Sequence, residues 1–174
     1  IRYLDFKTND YLREVATGEV QTKTKGTYWR IQIDPLNGQV LSQTELIDQG
    51  CEFPVVKPQQ VGQNADAVYL SIHRPGADSH HDLFGAIAAF NPQTDALTLA
   101  DCGAHRYPSE PVYVEDADDP SRGWILTVVF DGEREQSDVW IFNADTLDHG
   151  PVGRLGLPGI IPHSFHGTWQ ASVA

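Results

Sequence analysis

Ile87-Ala88-Ala89-Phe90-Asn91-Pro92 is the middle one of three similar strand-and-turn sequences that decide the fold prediction. The related stretches occupy residues 29–35 and 140–144, and the three lie about 50 residues apart along the chain. Each combines a short run of strand-forming residues with an Asp or Asn that favours a turn. A second run that could return as a strand follows each turn, so the sequence contains a repeated β-unit.

The repeat predicts an all-β fold made of about three blades of a β-propeller. Helical periodicity is absent, and turn residues separate the short strands. All-β repeats of about this length are typical of propeller blades, of which a closed ring needs about four to eight. We therefore expect residues 1–174 to form the incomplete, C-terminal part of a single propeller domain. Residues 1–25 are a weakly patterned N-terminal segment of it.

Composition narrows the range of partners and compartments. The chain has 174 residues, 40% of them hydrophobic, which is enough for one packed domain. Its net charge of −12 argues against nucleic acid, whose phosphates attract Lys and Arg. Cys51 and Cys102 lack a metal-binding spacing, and we predict that they are buried thiols of a cytoplasmic protein. The sequence begins with Ile1 and has no methionine, so we expect it to be part of a longer protein.

Three chemically capable side chains occupy corresponding places in the repeat. Glu52, Glu110 and His166 each lie near the predicted start of the strand that follows a hairpin. The innermost strand of each propeller blade lines the central channel, so corresponding positions point towards one axis. Two carboxylates and an imidazole, the commonest metal ligand, would then converge. By itself, however, His166 is equally compatible with a core histidine that is hydrogen-bonded to the backbone.

Four segments of the sequence carry a resemblance to a known family. They are Glu52-Phe53-Pro54, residues 107–111, residues 123–127 and, most specifically, Phe165-His166-Gly167-Thr168-Trp169. With these segments the chain resembles the carotenoid cleavage oxygenases. The resemblance implies a seven-bladed propeller that holds non-haem Fe²⁺ on its axis through four histidines. It implies that His166 is the last of these ligands and that Glu52 and Glu110 hold other ligand histidines.

The implied enzyme is a dioxygenase that uses dioxygen to cleave a conjugated double bond of a carotenoid or apocarotenoid into carbonyl products. The other three iron ligands would lie upstream of Ile1, so the 174-residue chain alone is expected to be inactive. Its Glu52 and Glu110 are then expected to face an open, water-filled groove. Exposed strand edges favour self-association. The expected location is cytoplasmic, with peripheral membrane contact as an option for the full-length enzyme.

Two other functions are compatible with the repeat. A glycoside hydrolase on a propeller could use Glu52 and Glu110 as its pair of carboxylates. A propeller without enzymatic activity could instead bind partners through its loops, with both glutamates as ordinary strand-end residues. The remaining histidines are predicted to be solvated in loops or turns, except for one near the C-terminus that is assigned to packing or hydrogen bonding. These residues are His73, His80, His81, His105, His149 and, as the exception, His163.

Overall fold

The computed structural model of the protein describes residues 1–4, 17, 25–78, 82–162 and 165–170. Most of the N-terminal segment 1–25, as well as His80, His81 and His163, lies outside the described residues. The described strands are β1 Arg2–Leu4, β2 Lys25–Ile33, β3 Val40–Ile47, β4 Cys51–Val55, β5 Val68–Ile72, β6 Ala86–Asn91, β7 Ala96–Asp101, β8 Arg106–Pro108, β9 Val112–Glu115, β10 Gly123–Asp131, β11 Gln136–Asn143 and β12 Pro151–Gly156. Two short 3-10 helices, Pro58–Gln60 and Leu147–His149, lie in the connections. The predicted all-β fold is confirmed.

The strands form three antiparallel sheets that follow one another along the chain. The first sheet has the order β1-β2-β3 and the second has the order β4-β5-β6-β7. The third sheet has the order β12-β11-β10-β8, and β9 also pairs with β10. Each neighbouring pair of the second sheet is joined antiparallel and in sequence order, as in a propeller blade. The structure therefore shows the predicted arrangement of about three blades.

The second sheet is buried on both faces, because the first and third sheets pack against it. All five residues of β5 are buried, and alternate residues of a strand point to opposite faces. Val68, Leu70 and Ile72 contribute to the core shared with the first sheet. Tyr69 contributes to the core shared with the third sheet, which also contains Ile125. This double burial explains why β5 has an apolar sequence with little alternation.

The Asp and Asn residues of the repeat close its turns through their side chains. The carboxylate of Asp34 accepts a hydrogen bond from the backbone N–H of Leu36, two residues further along the chain. The side-chain oxygen of Asn91 accepts the N–H of Gln93, and that of Asn143 accepts the N–H of Asp145. Such local side-chain bonds are the reason that Asp and Asn favour turns. The periodic signal in the sequence therefore marks a real, repeated turn geometry.

The first strand of the third sheet is interrupted. β8 and β9 both pair with β10, β8 opposite Val129–Asp131 and β9 opposite Gly123–Leu126. Residues 109–111 fill the gap between them, and Pro108 and Pro111 flank Ser109 and Glu110. Proline cannot donate a ladder hydrogen bond, which favours an irregularity of this kind at a sheet edge. The gap allows Glu110 to leave the alternating pattern of the strand.

The predictions about individual side chains have different outcomes. Cys51 and Cys102 are buried free cysteines, as predicted. His73 was predicted to be solvated, and this is wrong: only 7% of it is exposed, and its ring lies 4.7 Å from that of Phe84. The Pro and Gly residues after His73 suggested a loop, but His73 directly follows β5, and its backbone N–H donates a hydrogen bond to the carbonyl of Gly50, just before β4. His105 and His149 are exposed, as predicted.

No helix in the described ranges is long and apolar enough to cross a membrane.

Gly123, the first residue of β10, is predicted to tolerate no side chain. A Cβ atom at this position would overlap the phenol ring of Tyr113. Tyr113 belongs to β9, the strand that pairs with the start of β10. Gly123→Ala should therefore lower the free energy of unfolding by about 1–3 kcal/mol, the usual cost of overpacking. Denaturant unfolding monitored by circular dichroism measures this loss.

Gly159→Ala is the control, because a Cβ atom at Gly159 meets nothing within 4 Å. Introducing Gly123→Ala into a Tyr113→Leu background should cost much less than it does in the unmodified chain. Equal costs in both backgrounds would show that Tyr113 is not the obstacle.

Candidate metal centre

Glu110 occupies the gap between β8 and β9 and points towards the C-terminal segment 165–170. Its carboxylate is only 13% exposed and makes two contacts with that segment. One oxygen, Oε1, lies 3.2 Å from Nδ1 of His166. The other, Oε2, accepts a hydrogen bond of 2.7 Å from the backbone N–H of Gly167. One carboxylate therefore fixes both the imidazole and the backbone that follows it.

The contact with Glu110 determines which nitrogen of His166 is available. With Glu110 ionised, the 3.2 Å contact to Oε1 is a hydrogen bond when Nδ1 carries the proton, because a carboxylate only accepts hydrogen bonds. In the neutral imidazole the lone pair is then on Nε2, which is the atom left to bind a ligand. The His166 side chain is 77% exposed, so most of the imidazole is not covered by the described part of the chain.

This geometry differs from the prediction for Glu110 in two respects. Glu110 was expected to hold a histidine other than His166 and to face an open groove with nothing to accept. Instead, it accepts from His166 and Gly167, because the chain after β12 crosses back over the gap beside Glu110. The motif at 165–169 was also predicted to begin a new strand, but residues 165–170 have no strand conformation in the structure.

Glu52 lies in β4, the first strand of the second sheet, and is half-buried. Burial raises the pKa of its carboxyl, although the backbone N–H of Phe53 and the nearby His166 oppose this rise. Glu52 directly precedes Phe53, whose ring lies 5.8 Å from that of His166, so the two groups belong to one neighbourhood. Glu52, Glu110 and His166, which correspond in the repeat, are thus brought to the same end of the described structure.

Phe53 connects the second sheet to this neighbourhood. The pairing of β4 with β5 is irregular between Glu52 and Val55, and Phe53 has the left-handed backbone angle φ = 57°. Few residues other than glycine adopt such an angle, and those that do often lie at functional sites. Its ring packs edge-on against His166 at 5.8 Å and against Phe165 at 6.2 Å.

The described residues fit one ligand of a metal site rather than a whole site. Metal-binding histidines usually donate their second ring nitrogen to a carboxylate, which is the relationship between His166 and Glu110. No group of three or more His, Cys, Asp or Glu that could hold a metal ion occurs among the described residues. The chemistry of the donor set therefore agrees with a metal bound at Nε2 of His166, with further ligands from elsewhere.

Several residues of this neighbourhood have little or no signal in the sequence alone. Phe84, whose ring lies 6.3 Å from that of Phe53, looks like an ordinary loop aromatic. Ser71 and Thr127 are small polar residues within apolar strands. The only available hint is that a hydroxyl residue interrupts a run that is otherwise suited to a buried strand, because a buried hydroxyl needs a partner.

Glu110 is predicted to hold the segment 165–170 against the third sheet. Glu110→Ala should speed amide hydrogen exchange at Gly167 by roughly 10- to 100-fold, because the loss of a hydrogen bond to a charged group costs about 1.5–3 kcal/mol. Exchange at Leu70 and Ile125 in the core should not change. Exchange followed by two-dimensional NMR measures both sites in one sample. Glu133→Ala is the control, since Glu133 is exposed in a turn; unaltered exchange at Gly167 in Glu110→Ala would contradict the assigned contact.

Comparison with known proteins supports a common family. The profile of the family described as retinal pigment epithelial membrane protein matches residues 1–171. Apocarotenoid-15,15'-oxygenase from Synechocystis sp. is 32% identical over 152 residues, which are 83% of this chain and 29% of that protein. Isoeugenol monooxygenase from Pseudomonas putida is 25% identical over 153 residues, 83% of this chain and 32% of that protein.

Structural comparison agrees with the sequence comparison. The solved structure of cobalt-substituted Synechocystis apocarotenoid oxygenase superposes with a TM-score of 0.75 and 28% sequence identity. The superposition covers 85% of this chain and 31% of that one. The chain thus spans about a third of the length of the relatives that it matches. It belongs to the retinal pigment epithelial membrane protein family, that of the carotenoid cleavage oxygenases.

Proposed function

We propose that this chain is the C-terminal portion of a non-haem iron(II) dioxygenase that cleaves a conjugated double bond of a carotenoid or apocarotenoid. The observation that carries the proposal is the contact between Nδ1 of His166 and the Glu110 carboxylate, at 3.2 Å, in a chain of this family. His166 would bind the iron through Nε2. Three further histidines, outside the 174 residues, would complete the site.

The proposed cofactor suits these residues. Ferrous iron accepts imidazole ligands, and when bound it supplies open coordination positions at which dioxygen reacts. Adding both oxygen atoms of dioxygen across the two carbons of a double bond gives two carbonyl products without another reductant. A hydrogen bond from the second nitrogen of a ligand histidine to a carboxylate fixes the ring and increases its basicity. Glu110 provides that bond for His166.

The surroundings of His166 suit an apolar, conjugated substrate. Phe53 and Phe165 place aromatic rings within 6.2 Å of each other beside the imidazole, and Phe165 is largely exposed. Aromatic rings pack well against a flat polyene and exclude water from the reacting bond. One relative is named as an oxygenase of an apocarotenoid, and another is named as a monooxygenase of isoeugenol. We propose a carotenoid or apocarotenoid here because the relative with the higher identity is named for one.

The contacts of Glu110 disfavour the two alternative functions. A glycosidase would need Glu110 free to donate a proton or attack the sugar, but both of its oxygens are engaged by His166 and Gly167. A scaffold without catalysis would leave the glutamates as ordinary strand-end residues that point to solvent. Glu110 is instead mostly buried, and Glu52 is half-buried.

Substitutions in the full-length protein test the iron site. His166→Ala should abolish iron binding, because it removes a direct ligand. Glu110→Gln and Glu52→Gln should each lower iron affinity by roughly 10- to 100-fold, the usual effect of altering a group that holds a ligand. Competition with a calibrated chelator measures the affinity, and metal analysis of purified protein measures the content.

Glu133→Gln is the matched control, because Glu133 lies exposed in a turn of the third sheet. It should leave both quantities unchanged. Stoichiometric iron retained in the His166→Ala protein would exclude His166 as a ligand and with it the proposed site.

A further inference from the structure

We infer that Ser71 and Thr127 are positioning residues that set the place of Glu110 by binding the carbonyl group of Ser109. Ser109 directly precedes Glu110 in the gap between β8 and β9. The inference concerns the geometry of this chain, and its consequence for iron rests on the proposed function.

The carbonyl oxygen of Ser109 accepts hydrogen bonds from two hydroxyl groups. Oγ of Ser71 donates at 2.8 Å and Oγ1 of Thr127 donates at 3.0 Å. All three residues are buried, with exposures of 0% for Ser71, 3% for Thr127 and 5% for Ser109. A buried carbonyl without partners would cost free energy, and the gap in the strand removes the usual ladder partner of this one.

The two hydroxyls come from two different sheets. Ser71 lies in β5 of the second sheet, and Thr127 lies in β10 of the third sheet. The backbone N–H of Ser109 donates to the carbonyl of Val128, at 2.8 Å, so the peptide groups on both sides of Ser109 are held. Ser109 is therefore fixed relative to both sheets. Glu110 can move only by rotation about the bonds that follow the Ser109 carbonyl.

Ser71 also relates Glu110 to Glu52. In the antiparallel pairing of β4 with β5, Ser71 is the residue directly opposite Glu52. The same residue that pairs with Glu52 in the sheet thus donates to the carbonyl before Glu110. The spacing between the Glu52 and Glu110 carboxylates is thus set by the backbone of β5, and not by the flexible glutamate side chains.

The position of Glu110 matters because both of its oxygens are engaged by the segment 165–170. Oε2 bonds to the Gly167 N–H at 2.7 Å, and Oε1 lies 3.2 Å from Nδ1 of His166. A displacement of about 0.5 Å is enough to impair a metal or catalytic site of this kind. Both hydroxyls act on the main chain one residue away, so neither touches His166 or the proposed metal. Their role is to aim the carboxylate.

The test uses the 174-residue chain and the amide signal of Gly167 in a two-dimensional NMR spectrum. Ser71→Ala and Thr127→Val each remove one hydroxyl, the double variant removes both, and Thr127→Ser keeps both. The Gly167 amide proton should move upfield in the first three, and its exchange should speed up by roughly tenfold in the double variant, in line with the loss of about 1–1.5 kcal/mol of hydrogen bonding. Thr127→Ser should retain the original signal.

Thr27→Val provides the matched control for losing a buried hydroxyl. Thr27 is fully buried in the first sheet, and its Oγ1 accepts from Trp29. This variant should lower the thermal melting temperature without moving the Gly167 signal. If the double variant is folded and its Gly167 signal stays in place while its melting temperature falls, the hydroxyls only stabilise the fold and the inference is overturned.

The iron measurement separates this inference from the proposed function. In the full-length protein, Ser71→Ala and Thr127→Val should weaken iron binding by less than Glu110→Gln does, and Thr127→Ser should restore it. A full-length protein of unmodified sequence that binds no iron would overturn the proposed function alone. The Gly167 signal of the 174-residue chain would still decide whether the two hydroxyls position Glu110.

Discussion

The carboxylate of Glu110 connects two parts of the chain that lie 56 residues apart in sequence. It engages the imidazole of His166 through one oxygen and the backbone of Gly167 through the other. Hydrogen bonds to an ionised acceptor are stronger than those between neutral groups, and two of them give direction as well as strength. The segment 165–170 has no strand ladder, so its place depends on this carboxylate and on the Phe53 ring, which packs against Phe165 and His166.

The fold supplies the constraint that makes this connection possible. The first and third sheets pack against the second sheet and bury both of its faces. Hydrogen bonds cross between sheets at the gap that holds Glu110, so the carboxylate stands on a rigid base. Groups on rigid strands hold a metal ligand more precisely than groups on loops. The gap between β8 and β9 at the edge of the third sheet therefore positions a residue of the candidate metal centre.

Much of this architecture follows from local sequence signals. The repeated Asp and Asn turns predict the three hairpins, because each side chain bonds to the backbone of its own turn. The correspondence of Glu52, Glu110 and His166 in the repeat predicts that they share one end of the molecule. These are short-range or periodic features, and a single sequence displays them directly.

Other features depend on contacts between distant residues, which periodicity does not encode. The choice of His166 as the partner of Glu110 depends on the path of the chain after β12. The burial of His73 depends on the packing of Phe84, although its neighbours have a loop composition. The left-handed conformation of Phe53 reflects an irregular pairing of β4 with β5 that no turn residue announces. Tertiary contacts determine all three of these features.

A crystal structure of the iron-loaded, full-length protein would test the central claim most directly. It should show Nε2 of His166 bound to iron while Nδ1 stays within hydrogen-bond distance of Glu110, as in the chain described above. Three further histidines should complete the coordination. Iron bound without His166, or bound directly by the Glu110 carboxylate, would contradict the role assigned to this pair.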